Sequence, residues 1–110
     1  MFIKAFLANR KFMVRIGTTL SEIRTQEEGV PQGCVLSVTL FALAINGISK
    51  LIPPEIMHTL FVDDLSIYFA ASRMAVAERK LQLTLDQIVL WAERHGFKFS
   101  ASKTVVMHFC

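Results

Sequence analysis

The stretch LFVDDLSIYF, Leu60 to Phe69, sets two adjacent carboxylates inside an otherwise apolar run. Burying even one unpaired carboxylate costs several kcal/mol. Asp63 and Asp64 therefore belong either to a tight hairpin turn whose tip sits in water, or to a metal site for which the strands exist. Both readings need the same local structure. Met57 to Val62 and Leu65 to Ala70 are rich in Phe, Val, Ile and Tyr, and two turn-forming residues between two such runs predict a β-hairpin.

Working outward from that hairpin, upstream Phe12 to Ile16 and Leu20 to Thr25 read as two strands around Gly17-Thr18-Thr19, with Phe12, Val14 and Ile16 alternating against Met13 and Arg15. The segment EEGVPQG follows, and its Gly29, Pro31 and Gly33 mark a loop. From Val35 to about Lys50 the apolar residues Leu36, Leu40, Phe41, Ala44, Ile45 and Ile48 recur at helical spacing, and Pro53-Pro54 ends the element. Downstream of the hairpin, Ser72 is the expected N-cap of a second helix. Its buried stripe is Ala77, Leu81, Leu85, Ile88 and Ala92, flanked by Trp91, and Gly96 is its stop signal. Trp91, by its place on that helix, reads as core rather than as a stacking platform. Phe97 to Phe99 and Val105 to Phe109 read as closing strands around Ser100-Ala101-Ser102-Lys103. The order β-β-loop-α-ββ-α-β-β, with a hairpin at its centre, favours an α+β fold with an antiparallel sheet over a doubly wound one.

Composition narrows the function classes. The chain has 110 residues, 53% of them hydrophobic, enough for one domain and too few for two. Its mean hydropathy of +0.45 exceeds the usual range for a free-standing domain, as expected of a piece of something larger. The longest apolar stretch, Cys34 to Ile48, contains Ser37, Thr39 and Asn46 and falls short of the ~20 residues of a membrane span. No secretory signal is legible near Met1 to Leu7, so an intracellular setting, cytoplasm or nucleus, is expected. The net charge is +3. Lys4, Arg10, Lys11, Arg15 and Arg24 cluster early, where Glu22 is the only acid before Glu27. That pattern suits a solvated face or a polyanion surface. Cys34 and Cys110 lack ligand-like spacing, and His58, His95 and His108 form no helical pair, so zinc finds no support.

Paired carboxylates at a hairpin tip offer oxygen ligands to a hard divalent cation. Two such ions about 3.5–4 Å apart can activate a hydroxyl nucleophile and stabilise the leaving oxygen in phosphoryl transfer. Asp63-Asp64 alone does not separate that reading from an ordinary turn.

Three stretches taken in order do. GVPQGCVLS (Gly29 to Ser37), LFVDDLSIY (Leu60 to Tyr68) and WAERHGFKFSASKTVVMHF (Trp91 to Phe109) resemble successive motifs of reverse transcriptases, above all those of non-LTR retrotransposons. The opening FLANRKFMVRIGTTLSEIRTQEEGVPQG resembles the segment that precedes the Pro-Gln-Gly loop there, so the resemblance covers essentially the whole chain. It implies RNA-directed DNA polymerase activity in the parent enzyme, dependent on Mg²⁺ or Mn²⁺, with an RNA template, a DNA primer and deoxynucleoside triphosphates as partners; the absence of a span-length apolar stretch adds that no membrane is expected.

Carried to single residues, the resemblance makes Asp63 the principal metal ligand and Asp64 its support. Pro31, Gln32 and Gly33 would border the incoming nucleotide and the template base, with Phe61 nearby beside the aspartates. Gly33 would allow a close backbone approach, and Pro31 would stiffen the loop. Lys103 would neutralise or protonate the leaving pyrophosphate, although on its residue type alone a solvated lysine serves equally well. Val38 stands where the family has proline, and Ala101 near a usual asparagine. The family's first aspartate motif and its aromatic gate have no counterpart before FLANRKF, and no thumb follows Cys110. The expectation is one partial domain over residues 1–110, with residues 1–28 a fingers-side hairpin and 29–110 palm, inactive alone. A catalytically dead relic that only binds nucleic acid or acts as a scaffold is the alternative.

Overall fold

A computed structural model describes residues 2–109. The chain divides into two compact units, one ending at Phe41 and the other beginning at Ala42.

In the first unit a short helix α1 (Phe2–Leu7), absent from the sequence reading, ends as Asn9 enters the left-handed region at φ 55°, which asparagine tolerates better than most residues. Strand β1 (Arg10–Phe12) pairs antiparallel with β4 (Arg24–Gln26), and β2 (Arg15–Ile16) pairs with β3 (Thr19–Leu20). The expected hairpin is present, but its ladder is interrupted. Between the two paired sections the Val14 amide donates to the Ser21 hydroxyl at 2.9 Å, and the Ser21 amide to the Val14 carbonyl. Helix α2 (Val35–Ile45) follows the Pro-Gln-Gly loop.

In the second unit the expected Val35–Lys50 helix changes character at Asn46 and continues as a 3₁₀ segment, Asn46–Leu51, before Pro53. The 3₁₀ turn brings Ile48 inward beside Ile52 and Ile56. With Ile88 of helix α3 (Met74–Arg94) these form the buried cluster. Strands β5 (Met57–Phe61) and β6 (Asp64–Tyr68) form an antiparallel hairpin. Leu60, Leu65 and Ile67 lie on its inner face and pack on the cluster with Leu81 and Trp91. Thr84 is buried among the apolar stripe of α3, where its hydroxyl donates to the Lys80 carbonyl at 3.0 Å.

Gly47 lies against Trp91: a Cβ there would meet the indole Cζ2 at 3.1 Å. Trp91 also stacks on His95 and on Phe97, with centroids 4.3 and 5.5 Å apart, and packs half-buried against the core, as its place on the helix suggests. Helix α3 ends in a Schellman arrangement, in which the Phe97 amide reaches the Ala92 carbonyl at 2.9 Å and the Gly96 amide reaches Glu93 at 3.5 Å. The Phe97–Trp91 stack is the apolar contact that accompanies such a cap.

The architecture is α+β, with three two-stranded antiparallel sheets among the described residues. Three local expectations need correction. Helix α3 is capped by extended Arg73 rather than Ser72, with no side-chain cap bond. Phe97 to Phe99 and Val105 to Phe109 do not form strands. Val105, Val106, Met107 and Phe109 are exposed, and without a covered face a lone two-stranded pair has little to stabilise it. The central hairpin turns at Val62-Asp63, not Asp63-Asp64. Cys34 is a free, exposed thiol, and Cys110 lies outside the described residues.

Candidate active site

The two carboxylates sit in different backbone settings. Asp63 is the second residue of the two-residue turn, and Asp64 is the first residue of β6, facing Phe61 across the final rung of the ladder. Because strand side chains alternate, Phe61, Asp64, Thr59 and Ser66 share the outer face while Leu60 and Leu65 point to the core. Asp63 and Asp64 are both exposed. The turn is therefore fixed from below by packing and open above, and the apolar run around the aspartates serves to seat them.

Val62, the first turn residue, has φ 55°. Positive φ is uncommon for any residue with a Cβ and a true outlier for a β-branched one. Positive φ at the first but not the second turn residue is the pattern of a type II′ turn, which ordinarily takes glycine there. Turn propensity favours aspartate over valine in such a place, but the observed register sets Leu60 directly opposite Leu65 on the core face, and cross-strand packing prevails.

Pro31, Gln32 and Gly33 lie in the first unit. Pro31 is half-buried, while Gln32 and Gly33 are exposed. Gly29 and Gly33 bracket the loop at φ 79° and 86°, conformations open to glycine and strained for other residues. At the far side the buried Ser37 hydroxyl donates to the Pro31 carbonyl. Lys103 lies in the second unit, in the exposed turn after Ser100, where its amide donates to the Ser100 carbonyl at 3.1 Å. Ser37 and Val62 are positions to which the sequence reading gave no role. A serine in an apolar helix was the available signal for the first, and nothing local signals the second.

Among the described residues no group of three or more His, Cys, Asp or Glu side chains could hold a metal ion. Two exposed carboxylates do match the way Mg²⁺ is ordinarily held, by one or two carboxylates together with water and substrate phosphates rather than by an all-protein cage.

Residues 2–109 match the family described as reverse transcriptase (RNA-dependent DNA polymerase). The chain belongs to that family. This reverse transcriptase segment is 28% identical over 109 residues to the probable RNA-directed DNA polymerase from transposon BS of Drosophila melanogaster, a match covering 94% of the chain and 12% of that protein. It is 29% identical over 113 residues to the RNA-directed DNA polymerase from mobile element jockey of Drosophila funebris, covering 97% and 12%. The Drosophila melanogaster jockey polymerase is 27% identical, again with 12% of its length covered. The chain thus spans about one eighth of the relatives it matches. No solved structure matches it significantly. The α+β arrangement is consistent with part of a polymerase palm, and among the described residues no helix is long and apolar enough to cross a membrane.

Proposed function

We propose that this segment supplies the twin-carboxylate turn and the nucleotide-bordering loop of an RNA-directed DNA polymerase, which extends a DNA primer on an RNA template with deoxynucleoside triphosphates. The observation that carries the reading is the hairpin itself: Asp63 and Asp64 stand exposed at a tip whose opposite face is packed on Ile48, Ile52, Ile56 and Ile88. Positioned ligands of this kind are what phosphoryl transfer asks of a protein, since its catalysis is almost entirely placement and charge stabilisation.

Asp63 is the principal ligand and Asp64 the supporting one for Mg²⁺ or Mn²⁺. When bound, such ions activate the attacking hydroxyl and stabilise the leaving oxygen. Pro31, Gln32 and Gly33, with Phe61, border the incoming nucleotide and the template base. The Lys103 ammonium acts on the triphosphate, where a cation offsets developing negative charge. Residues 1–28 serve as a fingers-side hairpin and residues 29–110 as palm.

The test is metal selectivity in a polymerase that carries this segment. Asp63→Cys replaces a hard oxygen ligand with a thiolate, which disfavours Mg²⁺ more than softer ions. Primer extension should be lost in Mg²⁺ and recovered in part in Mn²⁺. Wild-type extension by the variant in Mg²⁺ would contradict the assignment.

A further inference from the structure

Arg10, one of the early basic residues, makes three side-chain hydrogen bonds to backbone among the described residues, and no motif gives it a role. Its Nε donates to the Leu7 carbonyl at 3.2 Å. Its Nη2 donates to the carbonyls of Glu28 at 3.1 Å and Gly29 at 2.6 Å. Gln26, its partner in the β1–β4 ladder, donates through Nε2 to the same Glu28 carbonyl at 3.2 Å. All these acceptors are backbone oxygens, and two of them are the residues that open the Pro-Gln-Gly loop. Glu28 and Glu27 carry carboxylates close by in sequence, yet Arg10 pairs with neither: the one ion pair among the described residues is Lys80–Glu55. Its planar fork reaches three carbonyls through two nitrogens, a fixed spread of donors that a lysine ammonium on a flexible stem does not reproduce. At the loop's other end the Ser37 hydroxyl holds the Pro31 carbonyl.

We infer that Arg10 is a positioning residue for the nucleotide-bordering loop, clamping Glu28 and Gly29 from the β1–β4 ladder while Ser37 fixes Pro31 from helix α2. Val30 lies between the held carbonyls, and Gln32 and Gly33 follow Pro31 toward helix α2 without helix or strand of their own. Gln32 is left exposed and free to meet a nucleotide or base. The inference rests on the proposed role of that loop, since a clamp matters to polymerisation only if the loop borders the substrate.

Two measurements test it. In the 110-residue chain, ¹⁵N relaxation should show the order parameters of Gly29, Val30 and Gly33 falling from rigid values near 0.85 to below about 0.6 in Arg10→Lys. Lys11→Met, on the same strand, should leave them unchanged. Unchanged order parameters in Arg10→Lys would overturn the clamp, and loss of the Lys11–Thr25 pairing in that variant would make Arg10 a folding residue instead. In a polymerase carrying the segment, Arg10→Lys should raise the nucleotide KM about tenfold with a smaller change in kcat, as expected for a misplaced binding element. A KM within twofold of wild type would overturn the inference. Asp63→Ala in the same polymerase separates the two readings: if it abolishes extension while Arg10→Lys is silent, only the clamp fails, and if it leaves extension intact, the reading of the site fails.

Discussion

Val62 stands in its hairpin turn where Gly17 stands in another. Each is the first residue of a two-residue turn, between Phe61 and Asp64 in one case and Ile16 and Thr19 in the other, and their φ angles are 55° and 60°. Glycine occupies that conformation at little steric cost, whereas valine does not. Strain of this kind persists only where the surroundings over-determine it, and it gathers at functional sites. Here the surroundings are the Leu60–Leu65 pair below and the core beneath it.

The first prediction tests that strain. Val62→Gly should stabilise the chain by about 1 kcal/mol, the relief of a disfavoured φ exceeding the added freedom of the unfolded state. Chemical denaturation would measure it. A destabilisation of similar size would mean that valine is at ease in the turn.

The Gly47–Trp91 contact gives the second. A Cβ at Gly47 already meets the indole at 3.1 Å, so Gly47→Val should cost about 2 kcal/mol by overpacking. Trp91→Ala should cost about 3 kcal/mol through lost burial. Because the two side chains would compete for one space, the double variant Gly47→Val with Trp91→Ala should lose less than the sum of the singles, a coupling that a double-mutant cycle reads directly. Additive losses would show that the two positions do not share that space.

The third concerns acid. The Lys80 ammonium, hydrogen-bonded to Glu55 Oε1 at 3.0 Å, holds the Glu55 carboxyl below its ordinary value of 4.5, with a backbone hydrogen bond and charge attraction adding to it. A carboxyl depressed in the folded state adds stability above its unfolded value and loses it as the pH falls through the folded one. The pair is exposed, so the effect is small. Thermal melts between pH 3 and pH 7 should show Glu55→Gln with a flatter decline on the acid side, below about 4.5. Identical acid limbs for variant and wild type would mean that this pair contributes nothing to acid stability.

Much of this molecule was legible before its structure. The hairpin around the aspartates, the α3 stripe through Ile88 and Ala92, and the stop at Gly96 all follow from local signals: alternation, helical spacing and a glycine at C′. What was not legible depends on contacts distant in sequence. The shift of the turn to Val62-Asp63 follows from which residue of β6 meets Leu60, and turn propensity argues the other way. The 3₁₀ segment at Asn46 falls where Gly47 lies against Trp91, a neighbour far along the chain that no local signal reveals. Arg10 looks like one more surface cation until its three carbonyl partners are placed. The expected closing strands are absent because Val105, Val106 and Phe109 have strand-forming side chains but no covered face.

That uncovered face carries the fourth prediction. Val106 and Phe109 are 91% and 85% exposed, in a stretch where neighbouring apolar side chains are also open to solvent, and such patches drive association. The isolated chain should self-associate as its concentration rises. Val106→Lys with Phe109→Ser should shift that onset upward, as analytical ultracentrifugation would show. An unshifted onset would place the sticky surface elsewhere.

On the proposed reading, Asp63 and Asp64 are metal-binding carboxylates of a polymerase rather than ornaments of a turn. With no third ligand grouped near them among the described residues, the 110-residue chain by itself should extend no primer, because a two-metal clamp needs further ligands to fix both ions. The direct measurement is primer extension on an RNA template in Mg²⁺ by a polymerase carrying this segment, with and without Asp63→Ala. The parent should extend robustly and the variant should lose at least about a thousandfold, given that placement and charge make up nearly all of this catalysis. Extension by Asp63→Ala at the parent's rate would contradict it.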